Sequence, residues 1–192
     1  MTNARSFDTV NYMEKPFKLN RFGPRLWGRD RAEMVRRLLE KQLANLDVGD
    51  TIVVGLEGVE VFDLSFASEM FGQAIRDMPF RHAGRFLLVE GLTEYTQLNL
   101  QKCLEDMELV VPSRSRRVYD LLGKHHPSDL TTYRAIHAQE GKMTAAELSG
   151  RLAIKLTAAN QRLAKFLKLG LARRESALSE SGREHYVYYA LR

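Results

Sequence analysis

TAAELSGRLAIKLTAANQRLAKFLKLGLARR, residues 144–174, decides how the carboxy-terminal part of the chain folds. Thr144 followed by Glu147 fits a capping box, in which each side chain bonds the other residue's free backbone N–H, so a helix begins at Thr144. A second helix begins at Thr157 after a short turn, and Gly170 ends it. The stretch therefore predicts two short helices joined by a tight turn and followed by a strand.

The second helix separates an apolar stripe from a polar face that carries no acid. The residues left outside the stripe are Lys155, Thr157, Ala158, Asn160, Gln161, Arg162, Lys165 and Lys168. Asn160 and Gln161 can each pair bidentately with adenine in the major groove of DNA. Lys155, Thr157 and Lys165 suit contacts to bases or to phosphate. This face predicts a DNA contact surface, although its remaining cations fit a merely solvated face equally well.

A strand pair is predicted after the second helix. Residues 171–176 and 185–191 form its two strands, and the small, polar residues 177–182 form its tip. Two strands and a tight tip of this kind make a wing beside the helices.

Residues 130–191 resemble the winged helix-turn-helix regulators of the MarR and ArsR kind, from LTTYRAIHAQEG through TAAELSGRL and GLARR to YVYYAL. The resemblance implies that the base-reading residues are Lys155, Thr157, Ala158, Asn160 and Gln161. It implies that the wing contacts phosphate through Arg173, Arg174 and Arg183. Winged helices also serve as plain protein-binding or dimerisation modules, and that alternative stays open.

The composition favours two domains of opposite charge. The 192 residues suffice for two small domains, each with its own core, and contents of 44% hydrophobic and 28% charged residues are typical of globular proteins. Residues 1–111 carry 14 lysines and arginines against 17 acids, whereas residues 112–192 carry 15 against 7. Because phosphate neutralisation supplies much of the affinity for DNA, this asymmetry predicts a DNA-binding domain joined to a sensory or interaction domain.

Cysteine content and hydropathy point to the cytoplasm. Cys103 is the single cysteine, which excludes an intramolecular disulfide and a zinc site built from several thiolates. No apolar run approaches the roughly 20 residues that a membrane helix needs, and the amino terminus MTNARSFDTV lacks a signal-peptide core. We therefore expect a cytoplasmic protein without membrane contact.

Strand and helix patterns alternate between residues 16 and 111, after an arm at residues 1–15 that shows no period and that we expect to be flexible. Strands are predicted at residues 16–22, 51–56, 59–62, 85–90 and 109–111. Amphipathic helices are predicted at residues 29–46, 66–76 and 93–107. This order predicts an α/β domain with a mixed sheet covered by helices.

Residues 17–111 resemble the STAS-like domains, relatives of the anti-sigma-factor antagonists, most clearly in GVEVFDLSFASEMFG, residues 58–72. In the antagonists the corresponding turn reads Asp-Ser-Ser-Gly, and a kinase phosphorylates the first serine. Here Asp63 matches the Asp, Leu64 replaces the phosphoacceptor and Ser65 matches the second serine. The resemblance implies a domain that senses or binds a protein partner, and we place that contact at Asp63, Ser65 and Glu69. Ser65 also suits a helix N-cap, as does Asp63.

A basic stretch separates the two predicted domains. Residues 112–127 begin with PSRSRR, and we expect them to form a linker. The arginines suit phosphate contacts and a solvated linker equally well. Residues 118–122 fit one helical turn that docks the domains together. The winged-helix domain then occupies residues 128–192, with its first helix at residues 130–139.

Motifs for catalysis, metal binding and cofactor binding are missing from the sequence. The chain has no Gly-rich phosphate loop, no HExxH and no G-x-S-x-G, and its histidines show no metal-ligand spacing. The carboxylates Glu57, Asp63 and Glu69 keep acid–base catalysis open as a weaker alternative. We expect neither a metal nor a cofactor.

The sequence thus predicts a transcription regulator that binds double-stranded DNA through its winged helix and takes a signal or partner through its STAS-like domain. We expect a homodimer, because one recognition helix reads only a few base pairs and paired half-sites raise both affinity and specificity. The alternative is an adaptor that binds an ATPase or a kinase of the anti-sigma type, with the winged helix serving assembly.

Overall fold

The computed structural model of the protein describes residues 12–116, 118–138, 142–178 and 182–191. Its strands are β1 (Glu14–Lys18), β2 (Arg25–Leu26), β3 (Thr51–Gly55), β4 (Val61–Phe62), β5 (Phe86–Glu90), β6 (Val110–Ser115), β7 (Val118–Gly123), β8 (Lys142–Thr144), β9 (Ala172–Leu178) and β10 (Glu184–Ala190). Its helices are α1 (Arg29–Ala44), α2 (Leu64–Ala67), α3 (Gln73–Arg81), α4 (Glu94–Asp106), α5 (Pro127–Ala138), α6 (Ala145–Leu152) and α7 (Leu156–Lys168). A 3-10 turn, Leu19–Phe22, follows β1, and a π turn, Ser68–Gly72, joins α2 to α3.

The amino-terminal unit is built on a five-stranded sheet with the order β1-β3-β5-β6-β7. The first four strands pair in parallel, and β7 runs antiparallel to β6. The central strands TIVVG and FLLVE are buried along most of their length, as parallel strands covered on both faces must be. The predicted α/β domain with a mixed sheet and covering helices is therefore confirmed.

The first strand lies earlier in the chain than the sequence predicted. Strand β1 begins at Glu14 and ends at Lys18, because Glu14 pairs with Thr51 and the register continues to Lys18 opposite Gly55. The rest of the predicted strand is the 3-10 turn. Residues 1–11, most of the predicted flexible arm, lie outside the described residues.

The basic stretch predicted as a linker contributes instead to the sheet. Residues 112–115 complete β6, and the predicted helical turn at 118–122 was wrong, because those residues lie in β7. Val111 and Leu122 pack into the core of the amino-terminal unit, whereas Val110 and Leu121 pack into the core of the carboxy-terminal unit. Since successive side chains of a strand point to opposite faces, one face of this hairpin packs into the first core and the other face packs into the second.

The carboxy-terminal unit, α5 to β10, consists of three helices and an antiparallel sheet with the order β8-β10-β9. Tyr133, Leu148, Leu163 and Phe166 lie in its core. The predicted capping box opens α6: the N–H of Thr144 donates to Glu147 Oε2 at 2.7 Å, and the N–H of Glu147 donates to Thr144 Oγ1 at 3.2 Å. Ala153 then adopts a left-handed conformation, which ends α6 and sets the tight turn before α7.

Candidate functional site

Helix α7 exposes a polar face along its whole length. Ala159, Leu163 and Phe166 are buried against the core of the carboxy-terminal unit. The predicted DNA-contact residues that lie exposed on the opposite side are Lys155, Thr157, Asn160, Gln161 and Lys165. The sixth residue, Ala158, is half-buried. No acid lies within the helix, so this face offers amide groups and positive charge together.

Lys165, on this face, also forms an ion pair with Asp129 of α5. Its Nζ lies 2.6 Å from Asp129 Oδ2, whose carboxylate also accepts from the N–H of His126 at 2.9 Å. Burial would raise the pKa of Asp129, but the hydrogen bonds from Lys165 and His126 outweigh that effect and hold the pKa below its ordinary value. The ion pair therefore fixes α7 against the start of α5.

Two of the three predicted wing arginines, Arg173 and Arg174, are adjacent in sequence and lie on opposite faces of β9. Arg174 is exposed, and its guanidinium carbon lies 4.2 Å from the centroid of the Tyr186 ring. Arg173 is only 8% exposed and faces the amino-terminal unit, so it does not offer its guanidinium to the backbone of a DNA duplex at the wing. Arg183 is exposed directly before β10. The wing tip, residues 179–181, lies outside the described residues.

Arg173 is enclosed by residues far from it in sequence. Its Nη2 donates to the hydroxyl of Thr51, and its guanidinium carbon lies 4.4 Å from the centroid of the Tyr12 ring and 5.0 Å from that of Phe86. Burial lowers the pKa of Arg173. Strand alternation alone predicts that one of the two arginines faces inward, but the sequence carries no signal for which one.

Two of the three predicted partner-binding residues have structural contacts. The carboxylate of Asp63 caps α2 by accepting from the N–H of Phe66 at 2.6 Å, and it also accepts from the N–H of Gly28 at 3.2 Å. Glu69 lies 3.0 Å from a guanidinium nitrogen of Arg36. Ser65 is exposed in the first turn of α2. The predicted helix cap is therefore confirmed at Asp63, and Ser65 remains accessible.

The carboxylates considered for catalysis do not form a shared site. Glu57 is exposed in the turn after β3, Asp63 caps a helix and Glu69 pairs with Arg36. Among the described residues, no cluster of histidine, cysteine, aspartate and glutamate is arranged to hold a metal ion. None of the helices in the described ranges is long and apolar enough to cross a membrane.

Four exposed apolar residues lie on the elements that meet at the Asp63 cap, and no pattern in the sequence indicated them. These residues, here called the apolar patch, are Trp27, Leu64, Tyr95 and Leu98. The bond from Gly28 to Asp63 brings Trp27 towards the start of α2. A second bond, from Asn99 Nδ2 to the carbonyl of Phe62 at 2.7 Å, brings the outer face of α4 to the same place.

Comparison with known proteins finds a family match for part of the amino-terminal unit. Residues 32–97 match the model of a family described as a STAS-like domain of unknown function (DUF4325). These residues run from α1 into α4 and include β3, β4, β5 and the Asp63 cap. No curated protein and no solved structure matches the chain. The chain thus contains a STAS-like α/β domain, with residues 32–97 as its recognised part.

Proposed function

We propose that the protein is a DNA-binding transcription regulator in which α5 to β10 act as a winged helix-turn-helix domain. The observation that carries the proposal is the exposed polar face of α7, a helix without acidic residues, with Thr157, Asn160 and Gln161 at its amino-terminal end. Recognition helices of helix-turn-helix proteins contact base edges with the residues at this end. Asn160 and Gln161 would read bases in the major groove.

The order of elements supports this function. A helix, a short strand, a pair of helices joined by a tight turn and a β-hairpin follow one another, with α7 as the second member of the helix pair. In this arrangement α6 crosses the DNA backbone while α7 enters the groove. Arg174 and Arg183 on the hairpin would contact flanking phosphates.

The charge of the chain favours the same partner. Residues 127–192, from the start of α5 onward, carry 11 lysines and arginines against 6 acids, and this positive balance lowers the cost of approaching a polyanion. One α7 would cover only a few base pairs, so we expect two copies to bind paired half-sites about one helical turn apart. The STAS-like domain would then supply a signal or a partner contact.

Fluorescence anisotropy tests this function with the purified full chain, its own upstream DNA and a scrambled duplex, across a salt series. We expect tighter binding to the upstream duplex and a steep fall of affinity with salt. Equal, weak binding to both duplexes at low salt would refute sequence-specific regulation.

A second candidate function is that of a protein-binding adaptor, and the exposed patch of Trp27, Leu64, Tyr95 and Leu98 favours it. Exposed apolar patches mark protein interaction sites more often than single exposed residues do. The partner would be an ATPase or a kinase of the anti-sigma type, bound at the Asp63 end of α2.

Affinity capture after nuclease digestion separates the adaptor from the regulator. A partner that wild type retains and Leu98→Glu loses would support the adaptor. Gln97→Glu is the matched control, because it adds the same charge at the exposed neighbouring position. If both variants retain the partner, the patch is not the contact surface.

A further inference from the structure

A cleft of about 470 Å³ lies between the two units, at the amino-terminal ends of β5 and β6. The amino-terminal unit contributes the end of α3, the following loop and the starts of β5 and β6. The carboxy-terminal unit contributes residues 167–170 at the end of α7 and residues 172–174 of β9. Binding pockets for small organic molecules commonly have volumes of about 300–1,000 Å³, so this cleft is large enough for one.

The residues that line the cleft include four cations and no acid. The cations are Arg85, Lys168, Arg173 and Arg174. Aliphatic and aromatic side chains line the space between them, including Ile75, Met78, Phe86, Leu87, Val110 and Leu167. A positive rim around an apolar interior is complementary to a molecule with an apolar body and an acidic group.

Two polar side chains in this lining are buried without full hydrogen bonding. Both ring nitrogens of His82 lack a hydrogen-bond partner within the described ranges, and the residue is only 6% exposed. The Nε of Arg173 is also buried and unpartnered there. Burial lowers the pKa of His82, so its ring is neutral at pH 7 and has one donor and one acceptor nitrogen. Buried polar groups are normally satisfied, so these atoms indicate a missing partner.

We propose that the cleft binds a small organic anion, whose acidic group is held by Lys168 and the neighbouring arginines and whose apolar body lies against Phe86 and Leu167. Carboxylate and phosphate share this chemistry, because both are anionic acceptors for lysine and arginine. His82 supplies a further hydrogen bond. This site shares Arg174 with the proposed DNA surface, but binding of the anion does not depend on DNA binding.

Such a ligand would contact both units at once. It would lie between the end of α3 in the STAS-like domain and the end of α7 in the carboxy-terminal unit. A ligand that binds one relative orientation of the units more tightly than another shifts the protein towards that orientation. A small anion bound in the cleft can therefore alter the orientation of α7 relative to the amino-terminal unit.

The test uses two dyes with the same apolar body. The anionic probe is 1-anilinonaphthalene-8-sulfonate, and N-phenyl-1-naphthylamine is its neutral counterpart. Fluorescence titration of the full chain should show one saturable site that binds the anionic dye at least about tenfold more tightly, as a charge-assisted contact requires. Displacement by inorganic phosphate but not acetate, or the reverse, identifies the natural acidic group.

Three variants locate the site. Lys168→Gln and His82→Phe should each weaken binding of the anionic dye by about fivefold or more, while binding of the neutral dye changes little. Lys155→Gln is the control, because it removes the same charge at the other end of α7, roughly 20 Å away. Equal affinity for both dyes, or equal loss in Lys155→Gln and Lys168→Gln, would overturn the proposal.

Discussion

The guanidinium carbon of Arg173 lies 4.4 Å from the centroid of the Tyr12 ring. This contact joins the carboxy-terminal unit to the start of the described chain. The hydroxyl of Tyr12 in turn donates to Glu175 Oε1 at 2.5 Å. Burial first, and then the bond to Glu175, raise the pKa of Tyr12 to about 12, so the hydroxyl stays protonated as a donor. Strand β9 thus contacts the amino-terminal part of the chain through Arg173 and Glu175, whose side chains point to the same face of the strand.

This arrangement predicts different effects for the two neighbouring arginines. Arg173→Ala should lower the free energy of unfolding by about 1–3 kcal/mol, because it removes cation–π contacts and the bond to Thr51. Arg174→Ala should change it by no more than about 0.5 kcal/mol, because that side chain is exposed. Urea denaturation measures both. Equal destabilisation would show that Arg173 does not hold the units together.

Arg174 of the wing and Gln161 of α7 together test the DNA-binding proposal. Arg174→Ala should weaken binding to every duplex and reduce the slope of log affinity against log salt by about one, because one phosphate contact is lost. Gln161→Ala should instead reduce the preference for the upstream duplex and keep the salt slope. Anisotropy titrations with both duplexes measure these effects. If both variants bind like wild type, α7 and the wing do not contact DNA.

The ion pair between Lys165 and Asp129 predicts a stability loss in acid. The pKa of Asp129 is lowered in the folded state, so its contribution is present above the unfolded value near 3.8 and is lost as pH falls through the folded value. Stability measured by urea denaturation from pH 6 to pH 2 should fall in this range, and Asp129→Asn should flatten the fall. Asp106→Asn is the control, because its pair with Lys102 is exposed. An identical acid profile in Asp129→Asn would refute this role.

Substitution of alanine for two glycines should change the free energy of unfolding in opposite directions. Gly123 has a φ of 93°, and a Cβ there would overlap the carbonyl oxygen of Leu109, so Gly123→Ala should destabilise by about 2 kcal/mol or more. Gly150 lies inside α6 with nothing within 4 Å of an added Cβ, so Gly150→Ala should stabilise by about 0.5–1 kcal/mol. Thermal or urea unfolding measures both. A neutral Gly123→Ala would mean that the end of β7 relaxes easily.

Cys103 should be protected from thiol reagents in the native state. It is 4% exposed, and burial raises its pKa to about 11, so little reactive thiolate is present at pH 8. Labelling with 5,5′-dithiobis(2-nitrobenzoic acid) should be slow for the folded protein and reach one thiol per chain in urea. Rapid labelling of the native chain would show that α4 opens locally.

The sequence by itself determined the elements whose signals are local. The helix of α1, the buried runs of β3 and β5 and the capping box at Thr144 and Glu147 were all predicted, because periodicity and capping depend on neighbouring residues. The mixed sheet followed from the order of these elements. The polar face of α7 was also readable, since its spacing alone separates Asn160 and Gln161 from the buried stripe.

Only the tertiary structure decided which surfaces meet. Residues 112–123 looked like part of a basic linker because the adjacent apolar residues of β7 serve two different cores, Leu122 one and Leu121 the other. The pairing of Lys165 with Asp129 and the burial of Arg173 against Tyr12 and Phe86 likewise depend on residues far apart in the chain. The pattern of residues along a helix or strand indicates on which face a side chain lies. It does not indicate which residues cover that side chain, because those contacts depend on residues far apart in the chain.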